Sequence, residues 1–231
     1  MTDCIFWIAT KDHFQECVQS SESVKHCMPY HPRILLTPDD FNHSAFTHIT
    51  KIPLRQYPLW YLDFVNYMNL ALNLLDYDKF LFLDTDTYMI EPVPEVFNIL
   101  DRFDIVSTIA PGRIISPTQA DIPECFAEYN TGVLAFRKNT CTTLFRVWLN
   151  IYKSNPGLYG ENDQAPLREA IFMLPVRPYV LPLEYNCRFG FGGQAAGNIK
   201  ILHGRSDNIK ALAENINKDT GIRGWRRGDF E

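Results

Sequence analysis

A short apolar run that ends in two carboxylates places the strongest restriction on the fold of this chain. Residues 80–83 have the length and composition of a strand buried on both faces, and Asp84 and Asp86 follow it. Side chains two positions apart on an extended backbone point to the same side, so both carboxylates can meet one ligand. Like charges this close repel unless a cation lies between them. The run predicts a divalent metal at the carboxyl end of a central strand, where open α/β sheets bind ligands.

Length and composition limit the class of protein. A chain of 231 residues, 46% apolar and 21% charged, can bury a sizeable core as one α/β domain. The net charge of -5 predicts no general affinity for nucleic acid or anionic membrane. There is no apolar run long enough for a membrane span, and the first residues do not resemble a signal peptide. Six scattered cysteines without a CxxC pair predict reduced thiols and a cytoplasmic protein.

The first part of the chain predicts a βαβ unit. Residues 4–9 and 33–37 are apolar runs of strand length, and the segment between them carries apolar residues at helical spacing. A βαβ unit implies parallel strands with a right-handed crossover. The turn Ala9-Thr10-Lys11 then lies at the same sheet edge as the acidic pair. A small residue followed by polar ones suits a nucleotide base and ribose there.

Polar residues adjoin three later elements. Asn130 begins an Asn-Thr-Gly turn before an apolar strand, and a simple turn is the alternative explanation. Asn162 and Asp163 open a helix. A structural explanation accounts for both without a catalytic role, because Asn162 can cap the helix and Asp163 suits its first turn electrostatically. Residues 104–110 and 198–202 each predict a strand, and His203 directly follows the second of them. A histidine at a strand end, beside the predicted metal-binding pair, is a suitable third ligand and favours Mn2+ over Mg2+.

Three segments have little periodicity or a biased composition. Residues 111–128 contain three prolines and predict either a lid over a site or an idle surface loop. Residues 188–197 predict a glycine-rich loop that is a poor dinucleotide fingerprint, because no long helix plainly follows it. Residues 206–231 predict a polar helix and a basic tail with Trp225. That tail is either mobile or folded over the site, where its arginines would lie near phosphates.

In combination these motifs resemble the GT-A nucleotide-sugar glycosyltransferases, especially family-8-like enzymes related to glycogenin and bacterial galactosyltransferases. The resemblance covers roughly residues 4–205 and departs from the family at two places. Met68 stands where the family often has a donor-binding lysine, and Arg205 lies where Lys-Pro-Trp usually follows the histidine. The matching segments, in the family's order, are Ile8-Ala9-Thr10, Asp76-Tyr77-Asp78-Lys79, Phe82-Leu83-Asp84-Thr85-Asp86, Asn130-Thr131-Gly132-Val133, Asn162-Asp163-Gln164 and Leu202-His203-Gly204.

The resemblance implies a single-domain GT-A (Rossmann-like) α/β fold, with a mostly parallel central sheet flanked by helices. Residues 1–205 would form the glycosyltransferase domain, and residues 206–231 a helix and basic tail packed on or near the site. The implied activity is metal-dependent hexosyl transfer, with retention, from a nucleotide-diphosphate-sugar donor to a glycan or other hydroxyl acceptor. A UDP-sugar is favoured. The chain could form a homodimer, and no nucleic-acid partner is expected.

The resemblance also implies roles for individual residues. Asp84, Asp86 and His203 would bind Mn2+ or Mg2+, and Asp163 and Gln164 would be catalytic. If the enzyme inverted instead, Asp163 or Asp121 could act as the base. The residues implied to contact the donor are Ala9, Thr10, Lys11, Thr85, Asn130 and Arg205.

Two readings of other classes stay open. An apolar strand followed by Asp-x-Asp-x-Thr also fits phosphatases of the haloacid-dehalogenase superfamily, with Asp84 as nucleophile and Asp86 as acid/base. That superfamily normally carries the motif near its N-terminus, whereas a whole βαβ unit precedes it here. The other reading is a nucleotide-sugar-binding domain without turnover.

Overall fold

The computed structural model describes residues 2–111, 116–218 and 221–229. The helices are α1 (Phe14–Cys27), α2 (Trp60–Leu74), α3 (Glu95–Ile99), α4 (Lys138–Ser154), α5 (Pro156–Tyr159), α6 (Gln164–Met173) and α7 (Ile209–Ile216). The strands are β1 (Asp3–Ile8), β2 (Arg33–Thr37), β3 (His48–Lys51), β4 (Lys79–Leu83), β5 (Thr87–Met89), β6 (Ile105–Ser107), β7 (Val133–Arg137), β8 (Pro178–Val180), β9 (Gly193–Ala195), β10 (Ile201–His203) and β11 (Arg223–Trp225).

In the described part of the chain, seven strands form the central sheet in the order β3-β2-β1-β4-β7-β6-β8. Every neighbouring pair is parallel except the two that involve β7, which runs antiparallel to both β4 and β6. The predicted single-domain α/β fold, Rossmann-like with a mostly parallel sheet and flanking helices, is therefore confirmed. The motif-bearing strand β4 lies in the middle of the sheet, so its carboxyl end opens near the centre of the molecule.

Alternating side chains of β4 supply both hydrophobic layers. Phe80 and Phe82 belong to the cluster packed under α2, α4 and α6, where Trp148 is also fully buried. Leu81 and Leu83 belong to the opposite cluster, with residues of α1 and α3. Because both faces of the strand are covered, its sequence is continuously apolar rather than alternating. This burial holds the following carboxylates on a rigid element.

Small antiparallel ribbons lie beyond the main sheet. One pairs β5 with β10, and the other pairs β9 with β11. A third cluster packs Trp225 and Ile209 of the C-terminal segment against residues of the 187–202 segment. The described part of the predicted tail is therefore packed. The division of the chain at residue 205 stays a prediction.

Three sequence predictions of local structure were wrong in detail. The 188–197 segment is not all loop, because its residues 193–195 form β9, with Gly193 against the Trp225 ring. A Cβ on Gly193 would lie 2.7 Å from that ring, so the pairing depends on the missing side chain. The strand predicted near the end of the chain lies at Ile201–His203, which puts the histidine inside the strand. The strand expected from residue 104 to 110 is confined to Ile105–Ser107, and the backbone beyond it turns to other partners.

Other predictions concern processing and compartment. Within the described ranges, none of the helices is both long enough and apolar enough to cross a membrane. All six cysteines are free, and four of them are buried. Residues 112–115 of the predicted lid or loop, and residues 219–220 and 230–231 of the predicted tail, lie outside the described residues.

Candidate metal centre

The β5–β10 ribbon brings His203 to the acidic motif. His203 is in register with Thr87, the residue after Asp86, and the amide of Gly204 donates to the Asp86 carbonyl at 2.9 Å. His203 Nε2 lies 3.4 Å from Asp84 Oδ2 and 3.4 Å from Asp86 Oδ1. One ligand atom from each of the three side chains lies within 4.8 Å of the others. The three residues predicted as ligands therefore meet at the carboxyl end of β4.

A buried asparagine orients the His203 ring. The Nδ1 of His203 is 2.8 Å from Asn186 Oδ1. The amide nitrogen of Asn186 donates to Asn130 Oδ1 at 2.8 Å and to Thr108 Oγ1 at 3.0 Å, so the amide oxygen is the atom that faces the ring. His203 therefore donates from Nδ1 and presents Nε2 to the two carboxylates. Such a partner fixes the tautomer that a metal-binding histidine needs.

Gly132 keeps the space between the ligands open. A Cβ built on Gly132 would lie 2.1 Å from His203 Cε1 and 2.4 Å from Asp84 Oδ2. The backbone conformation does not require glycine here, because the φ angle of Gly132 is not in the positive range. Its carbonyl accepts from the Asp84 amide at 2.8 Å, which ties the start of β7 to the acidic motif. Glycine is required here by space.

Burial and neighbouring charges shift the pKa values of two of the three candidate ligands, Asp86 and His203. Burial opposes ionisation of Asp86, but His203, Arg205 and Arg188 outweigh it and hold the pKa of Asp86 well below its usual range. Burial lowers the pKa of His203, whereas Asp86 and Asp84 raise it, and the pKa lies above the ordinary value. Two carboxylate oxygens and one imidazole nitrogen are a donor set that suits Mn2+. The residues present fit such an ion.

Replacing Asn186 by alanine is expected to weaken the binding of titrated Mn2+ about 10- to 100-fold, because the His203 ring loses the partner that orients it. The measurement is the free Mn2+ signal in electron paramagnetic resonance. Asn150→Ala, an exposed position on α4, is the control and should bind as the parent does. Equal affinity of Asn186→Ala and the parent would contradict the role given to Asn186.

Asp163 is a second ionisable group close to the centre. Its side chain is buried, it interacts electrostatically with Asp84, and its Oδ2 has no hydrogen-bond partner among the described residues. Burial raises the pKa of Asp163 to about 7, and the negative charges of Asp84 and Glu128 add to this effect. A hydrogen bond from Thr131 opposes it. Asp163 can therefore hold or release a proton near neutral pH.

Asn162, Asn130 and Gln164 hold the neighbourhood of Asp163 in place. The predicted cap is confirmed, because Asn162 Oδ1 accepts from the amides of Gln164 and Ala165 at the start of α6. Gln164 Oε1 accepts from Asn130 Nδ2 at 3.2 Å, and Asn130 Oδ1 accepts from the Gly132 amide at 3.1 Å. The polar atoms of the Asn130 amide are thus engaged within the protein. Its predicted contact with a donor stays a prediction.

The turn after β1 lies at the same sheet edge, as predicted. β1 runs parallel to β4 with Phe6 opposite Phe82, so Ala9 comes level with the acidic motif. Ala9 itself is buried, whereas Thr10 and Lys11 border a cleft of about 420 Å3 that Arg55 and Trp60 also line. The cleft has an aromatic wall and charged groups of both signs, since Asp12 and Asp39 line it as well.

Arg205 and Thr85 meet on an acidic residue that the sequence reasoning missed. Glu16 accepts from Arg205 Nε at 2.8 Å and from Thr85 Oγ1 at 3.3 Å. Arg205 Nη1 is also 3.9 Å from Asp86 Oδ2, so its guanidinium borders the metal centre. Tyr61 is another nearby residue that no sequence motif marks. Burial and the charges of Asp163 and Asp84 raise its pKa, which places its side chain close to the candidate site.

Asp121 is exposed on the described part of the 116–128 loop. Glu169 accepts from the amides of Gln119 and Ala120, and the Arg168 guanidinium donates to the carbonyls of Phe126 and Pro123. These buried groups of α6 anchor the loop, which argues against a loosely attached segment in the part described. A role for Asp121 as base stays a prediction.

The chain matches no protein-family model and no curated protein. The argument for its function therefore depends on the chemistry of the residues that the fold brings together. Those residues form one continuous set at the carboxyl end of β4.

Proposed function

We propose that this protein is a metal-dependent glycosyltransferase that moves a sugar from a nucleotide-diphosphate-sugar donor to an acceptor hydroxyl. The observation that carries the proposal is the cluster of Asp84, Asp86 and His203 at the carboxyl end of a central strand. The order of its motifs, which is similar to that of family-8-like GT-A enzymes, supports a UDP-sugar as donor and a retaining outcome. The nearby proton-holding group, Asp163, distinguishes this site from a bare structural ion site.

In this proposal the three ligands hold Mn2+ or Mg2+ against the donor diphosphate. The ion would act as a Lewis acid on the phosphate oxygens that gain negative charge as the sugar–phosphate bond breaks. Arg205 adds positive charge at the same side, because its guanidinium already lies beside Asp86. His203 keeps Nε2 directed at the ion through its bond to Asn186.

The cleft at Thr10 and Lys11 is the proposed position of the nucleotide. It lies at the same sheet edge as the metal centre, because β1 and β4 are adjacent and parallel. The Trp60 ring offers an aromatic wall for a base, and Arg55 lines the same cleft. Lys11 has an exposed side chain that can reach towards a phosphate or ribose.

Asp163 and Gln164 are the proposed groups at the transferred sugar. Asp163 carries a buried oxygen with no partner in the described protein, and a sugar or acceptor hydroxyl would donate to it once the side chains that cover it move aside. Gln164 is oriented by its bond from Asn130, which leaves its amide nitrogen available for a second contact. Gln164 would then bind the sugar, and Asp163 would hold or accept a proton there.

The test is a thermal-shift titration with a panel of nucleoside diphosphates, each with and without Mn2+. Ligands that bind the folded state raise the melting temperature by mass action. The parent is expected to show a Mn2+-dependent rise with one diphosphate, UDP being favoured. Asp86→Ala is expected to lose that rise, since one carboxylate ligand is gone. Asp76→Ala, an exposed carboxylate before β4, should keep it.

The same titration, combined with assays of phosphomonoester hydrolysis and of diphosphate release, separates the alternative functions. No shift with any diphosphate, together with hydrolysis of a phosphomonoester that Asp84→Asn abolishes, would contradict the transferase and support the phosphatase. A Mn2+-dependent shift without release of diphosphate from any sugar nucleotide would support a binding domain without turnover. Release of the diphosphate, lost in Asp86→Ala, would support the transferase.

A further inference from the structure

An arginine lies on the nitrogen that the metal would use. Arg188 Nη1 is 3.0 Å from His203 Nε2, a hydrogen-bond distance. The same Nε2 faces Asp84 and Asp86 at 3.4 Å. Because Nδ1 of this ring is engaged by Asn186, Nε2 has one lone pair to offer. A guanidinium N–H and a metal ion cannot share that lone pair.

The guanidinium of Arg188 can leave while the backbone stays in place. Cys187, directly before it, is fixed by its amide to the Ile201 carbonyl, and Phe189, directly after it, is buried. The arginine side chain itself rests over the Phe191 ring, 5.3 Å from the ring centroid. An arginine has several rotatable bonds, so a change of rotamer moves its charged end by some ångströms without unfolding the segment.

We propose that Arg188 and the metal ion are alternative partners of His203, and that Arg188 pairs with the donor diphosphate once the ion has displaced it. The second half of this proposal rests on the proposed function, whereas the first half does not. A guanidinium pairs well with phosphate oxygens because its planar N–H groups match their geometry. In the metal-free protein Arg188 is one of the positive charges that act on Asp86, together with Arg205.

The arrangement couples the two ligands. Binding of the ion alone requires Arg188 to give up its bond to His203 with no new partner, which lowers the affinity. When the diphosphate is present, Arg188 gains a partner and the loss is recovered. The ion and the diphosphate therefore bind with positive cooperativity, and each raises the affinity of the other by the same factor.

The test measures two affinities that are expected to change in opposite directions in Arg188→Met. At pH 8, Mn2+ alone is titrated and free ion is followed by electron paramagnetic resonance. The variant is expected to bind Mn2+ about tenfold more tightly, because a charge-assisted hydrogen bond no longer competes. Inorganic pyrophosphate is then titrated at saturating Mn2+. There the variant is expected to bind about tenfold more weakly than the parent.

Arg205→Met is the matched control, because it removes an equal charge beside Asp86 without touching His203. An equal gain in Mn2+ affinity in Arg205→Met would show that Arg188 only repels the ion electrostatically. It would then contradict the proposed competition between Arg188 and the ion for His203 Nε2. Unchanged or weaker Mn2+ binding in a folded Arg188→Met variant would overturn it as well. The 15N resonance of His203 Nε2 in metal-free protein should shift in Arg188→Met and stay unchanged in Arg205→Met. If the parent binds Mn2+ but no diphosphate, the proposed function fails, while the Mn2+ titration still decides the competition.

Discussion

Gly132→Ala is expected to lower the affinity for Mn2+ about 100-fold while the protein stays folded. The added methyl carbon would lie 2.1 Å from His203 Cε1 and 2.4 Å from Asp84 Oδ2, so at least one of the two ligands must move. A shift of this kind displaces a ligand as much as the loss of a supporting residue does, which costs up to about 100-fold in metal affinity. The measurement is the Mn2+ titration by electron paramagnetic resonance.

The fold should tolerate this alanine. The Gly132 backbone is not in the left-handed region, so the cost in the free energy of unfolding is one of crowding, about 1–3 kcal/mol. Gly157→Ala is the control, since a Cβ there meets no atom within 4 Å. Circular dichroism and the melting temperature report folding in both variants. Parent-like Mn2+ affinity in Gly132→Ala would show that the ion is not held between Asp84 and His203.

Asp163→Asn is expected to lower the rate of the proposed sugar transfer about 1000-fold, with little change in Mn2+ affinity. Asparagine has nearly the same shape and can still accept from Thr131, but it cannot hold or accept the proton. Loss of a positioned acid or base typically costs 10²–10⁴-fold in rate. The measurement is the release of nucleoside diphosphate from sugar nucleotides that carry the nucleotide identified by thermal shift. Transfer at the parent's rate would exclude Asp163 from the chemistry.

The same substitution is expected to stabilise the protein at neutral pH. The pKa of Asp163 is raised from 3.8 to about 7 in the folded state, so the folded protein keeps a proton that the unfolded chain loses. Between pH 4 and pH 7 the unfolded state therefore binds fewer protons, and the parent loses stability as the pH rises. At about 1.4 kcal/mol per pKa unit, the loss is on the order of 4 kcal/mol.

Urea unfolding from pH 4 to pH 8 checks this sign. The free energy of unfolding of Asp163→Asn relative to the parent should rise from pH 4 to pH 7 and level off above it. Asp76→Asn, at an exposed carboxylate, should track the parent throughout. A relative stability that falls as the pH rises would contradict the assignment. Lost transfer together with gained stability is the result expected for a catalytic carboxyl group whose buried position lowers the stability of the fold.

Much of the local structure could be read from side-chain patterns. The continuously apolar run before Asp84 predicted β4, and the structure places it inside the sheet with both faces covered. The polar Asn162 at the start of a periodic segment predicted the cap of α6. Both predictions depend on neighbours within a few residues, because local backbone geometry and burial decide them.

The partners of the ligands could not be read in the same way. Asn186 and Asn130 meet although they are 56 positions apart, and neither stands in a pattern that names the other. Arg188 begins the segment 188–197, which the sequence predicts to be a loop. Nothing in that segment indicates the contact of Arg188 with His203. Gly132 was visible as part of a turn, whereas its closeness to His203 depends on how β7 packs beside β4.

The sequence by itself determined the α/β class, the central strand and the acidic pair at its carboxyl end, because periodicity and burial are local properties of a chain. It also marked His203 as a candidate ligand by residue type. Only the tertiary structure decided that His203 reaches Asp84 and Asp86, through the register of β10 against β5. Likewise it alone placed Arg188 and Asn186 on the two nitrogens of that ring. Contacts between distant segments follow from the packing of the whole domain, which no single stretch of sequence encodes.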